Sequence, residues 1–415
     1  MAGTTRSSPG RVRKLPAHDM TDDSREPFRV QSLTTTVFLP NFLFAVGQGA
    51  VIPVIALLAL ELGSSTALAG AIVALRGLGT MAFDVPAGVL VARVGEKRAM
   101  VVAAAILGVL TLAIGLQPSL PVYALLVFGM GGTWSVFLLA RLAYAAESSP
   151  VGHRGRVMSM LGGVNRMGMF LGPVIGAIVV IPLGLGGPFF VQALFAVLAS
   201  VTLLVAVADG GPPHPDRSER VTLTAVLGGH RRILGVAGFV AVAAQVLRSS
   251  RQAIIPLWGD QIGLGASAIS LIFGASSAIE ILLFYPVGIV MDRRGRKWAA
   301  LPFISLLSVG IAAIPLTKSL TSLTLVALFI GLANGLGAGF NMTLGSDLSP
   351  ALGRSQFLGL WRLVSDIGTA GGPLLVAAAT SLASLGAAAV AVGGVGVAGV
   401  LVLWLAVPET RTGQA

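Results

Sequence analysis

Ionisable side chains stand inside stretches of this sequence that are otherwise apolar: Arg76, Asp84, Arg141, Arg166, Arg248, Arg251, Glu280, Arg362 and Asp366. A charge in an apolar medium is costly, so such residues by default mark a path for ions or solutes, or pair with one another. Asp and Glu take up and release protons, whereas Arg stays charged and bonds carboxylates or other anions. Asp84, Arg166, Glu280, Arg362 and Asp366 are therefore candidates for proton exchange or ion pairing. Arg362 and Asp366 stand four residues apart, which brings them together on a helix. Arg76, Arg248 and Arg251 have no evident acidic partner. With Arg141 set aside, five Arg stand against three acids. The surplus suits an anionic solute, a water-filled cavity or bonds to backbone carbonyls. Conversely, Asp84 or Glu280 suits a cationic solute once its proton has left. Asn41, Gln48, Gln245, Gln252 and Asn334 add neutral polar groups of the kind that orient a largely apolar ligand. Together with Arg76, Arg248 and Arg251 they form the candidate cavity set.

Other chemistries find no support. The absence of Cys excludes disulfides, thiolate catalysis and Cys-ligated metals. His18, His153, His214 and His230 fall in polar segments without metal-ligand spacing. The glycines of 335–339 lie in an apolar run with no strand before them, which argues against a dinucleotide loop, and no Walker-type loop is present. We expect no enzyme activity, cofactor, metal or ATP dependence.

Helices must position these residues. Of 415 residues, 55% are hydrophobic and 11% charged, with a mean hydropathy of +0.88. Soluble domains carry about 25% charged residues, so this chain cannot coat a globule with wettable surface. A soluble enzyme, a disordered chain and a nucleic-acid-binding domain are excluded. A membrane-spanning helix needs about 20 apolar residues. Such runs occur at 33–60, 66–92, 99–117, 121–145, 156–182 and 188–208, then at 233–258, 267–291, 299–317, 321–346, 356–383 and 385–408. Residues 1–32 read as a polar, disordered tail without the apolar region of a signal peptide. Residues 209–232 read as a polar linker and 409–415 as a short tail. The expected fold is an all-α membrane protein, with twelve transmembrane helices in two six-helix bundles, 33–208 and 233–408.

Lys and Arg fix the orientation. The tails and loops on the N-terminal side hold 21 of the 28 basic residues, and the opposite side holds Lys318 alone. Both termini are therefore expected in the cytoplasm, the linker included. The net charge of +11 becomes a topology signal and needs no nucleic-acid partner. Arg141 lies about a turn and a half from the inner surface, where snorkelling is expected.

The two halves are related. A shift of 200 residues aligns Pro86 with Pro286, Gly88 with Gly288, Arg93 with Arg293, Gly95 with Gly295 and Lys97 with Lys297. The same shift pairs Glu147 with Asp347, Arg154 with Arg354, and Gly168, Gly172 and Pro173 with Gly368, Gly372 and Pro373. At the first spans, AVIP at 50–53 answers AIIP at 253–256. Parallel repeats of this kind build many secondary transporters, with the substrate site between the halves near the midplane.

One loop carries a family resemblance. GIVMDRRGRK, Gly288 to Lys297, resembles the signature loop of the major facilitator superfamily, with Gly288, Asp292, Arg293, Gly295, Arg296 and Lys297 at its defined positions. Its counterpart, GVLVARVGEK, keeps Gly88, Arg93, Gly95 and Lys97, but Ala92 replaces the Asp and Glu96 an Arg. GMFLGPVIGA resembles the antiporter motif of drug:proton exporters through Gly168, Gly172, Pro173 and Gly176, with Ala177 in place of the final Gly. Independently of the family, glycines at such steps let helices approach closely.

The resemblance covers about residues 33–408 and implies alternating access by two rocking halves. It implies that Asp292 faces the start of span 5, a favourable place for an acid at a helix N-terminus, and that Ala92 makes no matching contact with span 11. It also places span 2 beside span 11 and span 5 beside span 8. Asp84 and Arg362 both lie roughly 10–12 Å deep, and Arg166 and Glu280 roughly 15–18 Å deep, at 1.5 Å per residue. Two inter-half pairs follow as expectations, Asp84–Arg362 and Arg166–Glu280. The expected function is proton-coupled efflux of small amphipathic or drug-like compounds by a monomer in a bacterial inner membrane. A transporter of small organic anions that uses the Arg surplus is the alternative. A receptor or scaffold comes last, because it would need neither the charged interior nor the short tail seen here.

Overall fold

The computed structural model describes residues 33–150, 153–206, 223–350, 352–407 and 409. Among them, eleven helical stretches are long and apolar enough to span a membrane. The stretch Arg154–Ala206 contains two helices separated by the short turn Gly184–Gly186, which makes twelve. We number them α1 (Thr34–Glu61), α2 (Thr66–Val94), α3 (Glu96–Gly115), α4 (Leu120–Glu147), α5 (Arg154–Leu183) and α6 (Gly187–Ala206). The second half holds α7 (Leu223–Gln261), α8 (Ala266–Arg294), α9 (Lys297–Ala313), α10 (Leu320–Leu348), α11 (Arg354–Leu382) and α12 (Leu385–Ala406).

Local chemistry sets the helix ends. The Ser65 hydroxyl accepts the Leu68 N–H at 3.2 Å, and Ser384 does the same for Ala387 at 3.1 Å. Each satisfies a backbone donor that the first helical turn leaves without a partner. Ser319 and Ser322 form a reciprocal capping box at the start of α10. The turns after α2 and α8 pass through Gly95 at φ +85° and Gly295 at φ +107°, conformations that disfavour any residue with a Cβ. The helix α7 begins within the stretch read as linker. It starts at Leu223 and bends at His230, whose ring stands edge-on to Phe357 at 5.7 Å. The tail 1–32, linker residues 209–222 and most of 409–415 lie outside the described residues.

The packing repeats between the halves. Helix α1 packs on α5 and α6, α3 on α6, and α4 on both α2 and α3. The second half repeats each contact: α7 on α11 and α12, α9 on α12, and α10 on α8 and α9. Across the halves, α2 meets α11 and α5 meets α8. The motif glycines make the contacts of α1 with α5 and of α7 with α11 possible. A Cβ on Gly172 would run into the carbonyl oxygen of Val46 in α1, and one on Gly372 would lie 2.6 Å from that of Val246 in α7. These glycines are therefore packing residues within each half. Large apolar side chains such as Ile181, Val205 and Leu382 are left exposed, as lipid-facing residues are.

Candidate functional site

A cavity of about 740 Å³ lies between the halves. Its walls come from α1 and α2 (Gln48, Arg76, Thr80), α4 and α5 (Trp134, Asn165), α7 (Gln245, Gln252), and α10 and α11 (Asn341, Trp361, Arg362, Asp366). It extends from Ile52 and Pro373 to Ser346 and Leu358, at the end of the molecule that carries the basic turns. At the opposite end the halves touch. Ser267 of α8 donates to the carbonyl of Ala177 in α5 at 2.9 Å, and a Cβ on Gly70 of α2 would lie 3.5 Å from the backbone of Ala377 in α11. Towards the basic end, by contrast, no atom of another described helix lies within 4 Å of where a Cβ would sit on Gly162, Gly163 or Gly359.

The expected pair Asp84–Arg362 is present. Arg362 Nη2 lies 2.8 Å from Asp84 Oδ1, which joins α11 of one half to α2 of the other. Ser135 of α4 donates to the same oxygen at 2.5 Å. Arg362 Nε lies 3.6 Å from Asp366 Oδ2, as the four-residue spacing requires. Thr369 donates to Asp366 Oδ1 at 3.3 Å and accepts from Gln245 of α7 at 3.2 Å. The carboxyl of Asp366 lies near enough to that of Asp84 for the two to interact, and the buried Oδ2 of Asp84 has no hydrogen-bond partner among the described residues. Two carboxyl groups thus share one guanidinium, and the side chains of Arg362 and Asp366 face the cavity.

The second expected pair is arranged differently. Glu280 Oε1 bonds Arg251 Nη1 at 2.5 Å, between α7 and α8 of the same half. Arg166 approaches from α5 and lies within electrostatic reach of both Glu280 and Arg251. The expectation that Arg251 lacks an acidic partner is therefore corrected. Depth counted along single helices does not reveal that α7 and α8 turn these two residues towards each other.

Four candidate cavity residues lie off the cavity. Arg248 donates to Asn334 Oδ1 at 2.8 Å and to the carbonyl of Gly337 at 2.6 Å, with its guanidinium 4.6 Å from the centre of the Phe303 ring. It thereby satisfies α10 where that helix is interrupted between Leu336 and Phe340. Asn41 donates to the carbonyl of Leu161 at 3.3 Å and accepts from Arg141. Arg141 is buried instead of snorkelling. It also donates to Asn165 at 3.2 Å and stands over Trp134 at 5.3 Å. These amides and the aromatic face replace water around the guanidinium. Arg251 completes the four. Gln48, Arg76, Gln245 and Gln252 do line the cavity.

The signature turns lie at the basic end. Arg296 Nε pairs with Asp347 Oδ2 at 2.7 Å, at the end of α10, and Glu409 accepts the backbone N–H groups of Arg296 and Lys297 at 2.8 and 3.1 Å. The matching positions of the first half hold Glu96 and Glu147, two acids. The expected contact of Asp292 falls on a side chain outside the described residues, and Ala92 is exposed. Ser135, Asn165, Asn341 and Thr369 are polar contributors that sequence reasoning missed. Single Ser, Thr and Asn residues are common in membrane helices, and only Asn341 had a signal, its alignment with Arg141 in the repeat.

Two bundles related by a repeat, with a charged cavity between them, define a membrane transporter of the secondary type. The chain matches the Major Facilitator Superfamily over residues 37–251 and 237–415, and it belongs to that family. It is 27% identical over 375 residues to an uncharacterized MFS-type transporter of Mycobacterium tuberculosis, covering 82% of this chain and 84% of the relative. It is 24% identical over 392 residues to the multidrug resistance protein MdtH of Klebsiella pneumoniae, covering 89% and 92%. Among solved structures, a D-xylose-proton symporter matches with a TM-score of 0.75 at 17% identity, over 93% of this chain and all of that one (100%). The human organic anion transporter MFSD10 matches at 0.68 and 16%, over 91% and 100%. The protein is a multi-pass membrane transporter and not an enzyme.

Proposed function

We propose that this transporter couples the movement of small amphipathic compounds to protons and exports them by alternating access. The observation that carries the reading is the Asp84–Arg362–Asp366 cluster, which spans the two halves with Arg362 and Asp366 on the cavity wall. Rocking of residues 33–208 against 233–408 must part Asp84 from Arg362. Separating the pair leaves the buried carboxylate of Asp84 without its cation, which is unfavourable in an apolar setting. A proton on Asp84 removes that charge and so permits the movement. One guanidinium also neutralises only one of the two carboxylates, which leaves a proton to neutralise the other. The names of the relatives MdtH and the xylose-proton symporter are in keeping with drug export and proton coupling.

The cavity at the basic end corresponds to the cytoplasm-facing state of a monomer in a bacterial inner membrane, with both termini inside. The test is accumulation of labelled 2-naphthoate and tetraphenylphosphonium in everted vesicles that contain the protein, under an imposed pH gradient. Uptake of either probe that a protonophore collapses at least tenfold supports the reading. Uptake indifferent to the protonophore contradicts it.

A further inference from the structure

Each half places one arginine in contact across its first two helices, and the two contacts differ in charge. In the second half Arg251 meets the carboxylate of Glu280 at 2.5 Å. In the first half Arg76 of α2 bonds Gln48 of α1, an amide. Gln48 occupies the position that matches Arg251 in the repeat. Arg76 has no carboxylate partner among the described residues. Arg141 and Arg248 also lack one, but both lie off the cavity and stand over aromatic rings. Arg76 lines the cavity itself. Its neighbour Gln48 spends its carbonyl oxygen on Arg76 and keeps a buried amide Nε2 with no acceptor. Both residues line one wall of the cavity, neither has a carboxylate partner among the described residues, and the other walls include Trp134 and Trp361.

We infer that Arg76 and Gln48 form an anion subsite, and that the solute is an amphipathic organic anion, an aromatic carboxylate or sulfonate. Its acid group sits on Arg76, and its ring lies against the apolar and aromatic walls. The other arginines of the helices are satisfied either by a carboxylate, as Arg251 and Arg362 are, or by amides, carbonyls and an aromatic ring away from the cavity, as Arg141 and Arg248 are; among the described residues Arg76 has Gln48 alone. Arg362 is already engaged by Asp84 and Asp366, so the uncompensated positive charge in the cavity belongs to Arg76. The inference rests on the reading of this cavity as the substrate site and names the substrate class.

The test compares binding of labelled 2-naphthoate with that of 2-naphthylmethylammonium, which has the same ring and the opposite charge, to the full chain in phosphatidylcholine nanodiscs. The native protein is expected to bind the anion at least tenfold more tightly than the cation. Gln48→Glu supplies the carboxylate that the second half already has. It is expected to weaken anion binding at least tenfold without lowering the unfolding temperature, because Arg76 gains a partner. Arg76→Gln should remove the anion preference, and Arg76→Lys should keep part of it. Equal binding of both probes, binding of neither, or undiminished anion binding by Gln48→Glu overturns the subsite. The charge preference and the effect of the pH gradient are read separately. Gradient-driven uptake of a cation would sink the subsite and leave proton coupling standing, and gradient-independent uptake of the anion would do the reverse.

Discussion

The charged residues of the second half differ in how much each supports. Glu280 bonds Arg251 directly and lies within electrostatic reach of Arg166. Removing the acid therefore takes the carboxylate from the buried Arg251, whereas removing Arg251 leaves Glu280 within electrostatic reach of Arg166. Glu280→Gln is expected to cost about 3–5 kcal/mol, the range for breaking a buried pair, and Arg251→Met distinctly less. Denaturant unfolding of both variants in detergent checks this, and equal losses would contradict the shared arrangement. These residues are legible in the sequence, because a charge stands out in an apolar run. Their partners were harder to read. Asn41, Arg141 and Asn165 lie on three different helices, and they converge only because α1, α4 and α5 turn the relevant faces inward. Side-chain direction at a helix–helix contact is not encoded in depth or spacing. For that reason Arg141 read as a snorkelling residue.

Among the elements, α5 shows how one helix carries tight and open stretches together. Gly172 presses against the backbone of α1, while Gly163, nine residues earlier, has open space around it. Gly172→Val is expected to force α1 and α5 apart and cost about 1–3 kcal/mol, as overpacking does. Gly163→Ala should stay within about 0.5 kcal/mol. Thermal unfolding of the two variants side by side separates the cases, and similar shifts would show that the motif glycines have no packing role. Both motif strings were legible, because Gly and Pro recur at fixed spacing in the repeat. The interruption of α10 was not, although the glycines of 335–339 stood in plain view. What makes that break tolerable is Arg248, which arrives from another helix to bond the carbonyl of Gly337.

At the scale of the whole molecule, the repeat sets the architecture and its departures carry the proposed function. Six contacts between helices recur in both halves or across them, as a duplicated bundle requires. The halves differ where chemistry is needed. Arg296–Asp347 fastens a turn in the second half, where the first has Glu96 and Glu147, and Arg251–Glu280 is neutralised, where Arg76–Gln48 is not. The ion pair that joins the halves, Asp84–Arg362, was legible only by combining depth with the adjacency of α2 and α11 that the resemblance supplied. It is also the point on which the proposed coupling depends. The most direct measurement is transport by Asp84→Asn in proteoliposomes, read in two ways with the same labelled solute. Asn cannot exchange a proton, so accumulation driven by a pH gradient is expected to fall at least tenfold, while solute-for-solute exchange without a gradient continues. Gradient-driven accumulation by Asp84→Asn equal to that of the native protein would contradict the assignment.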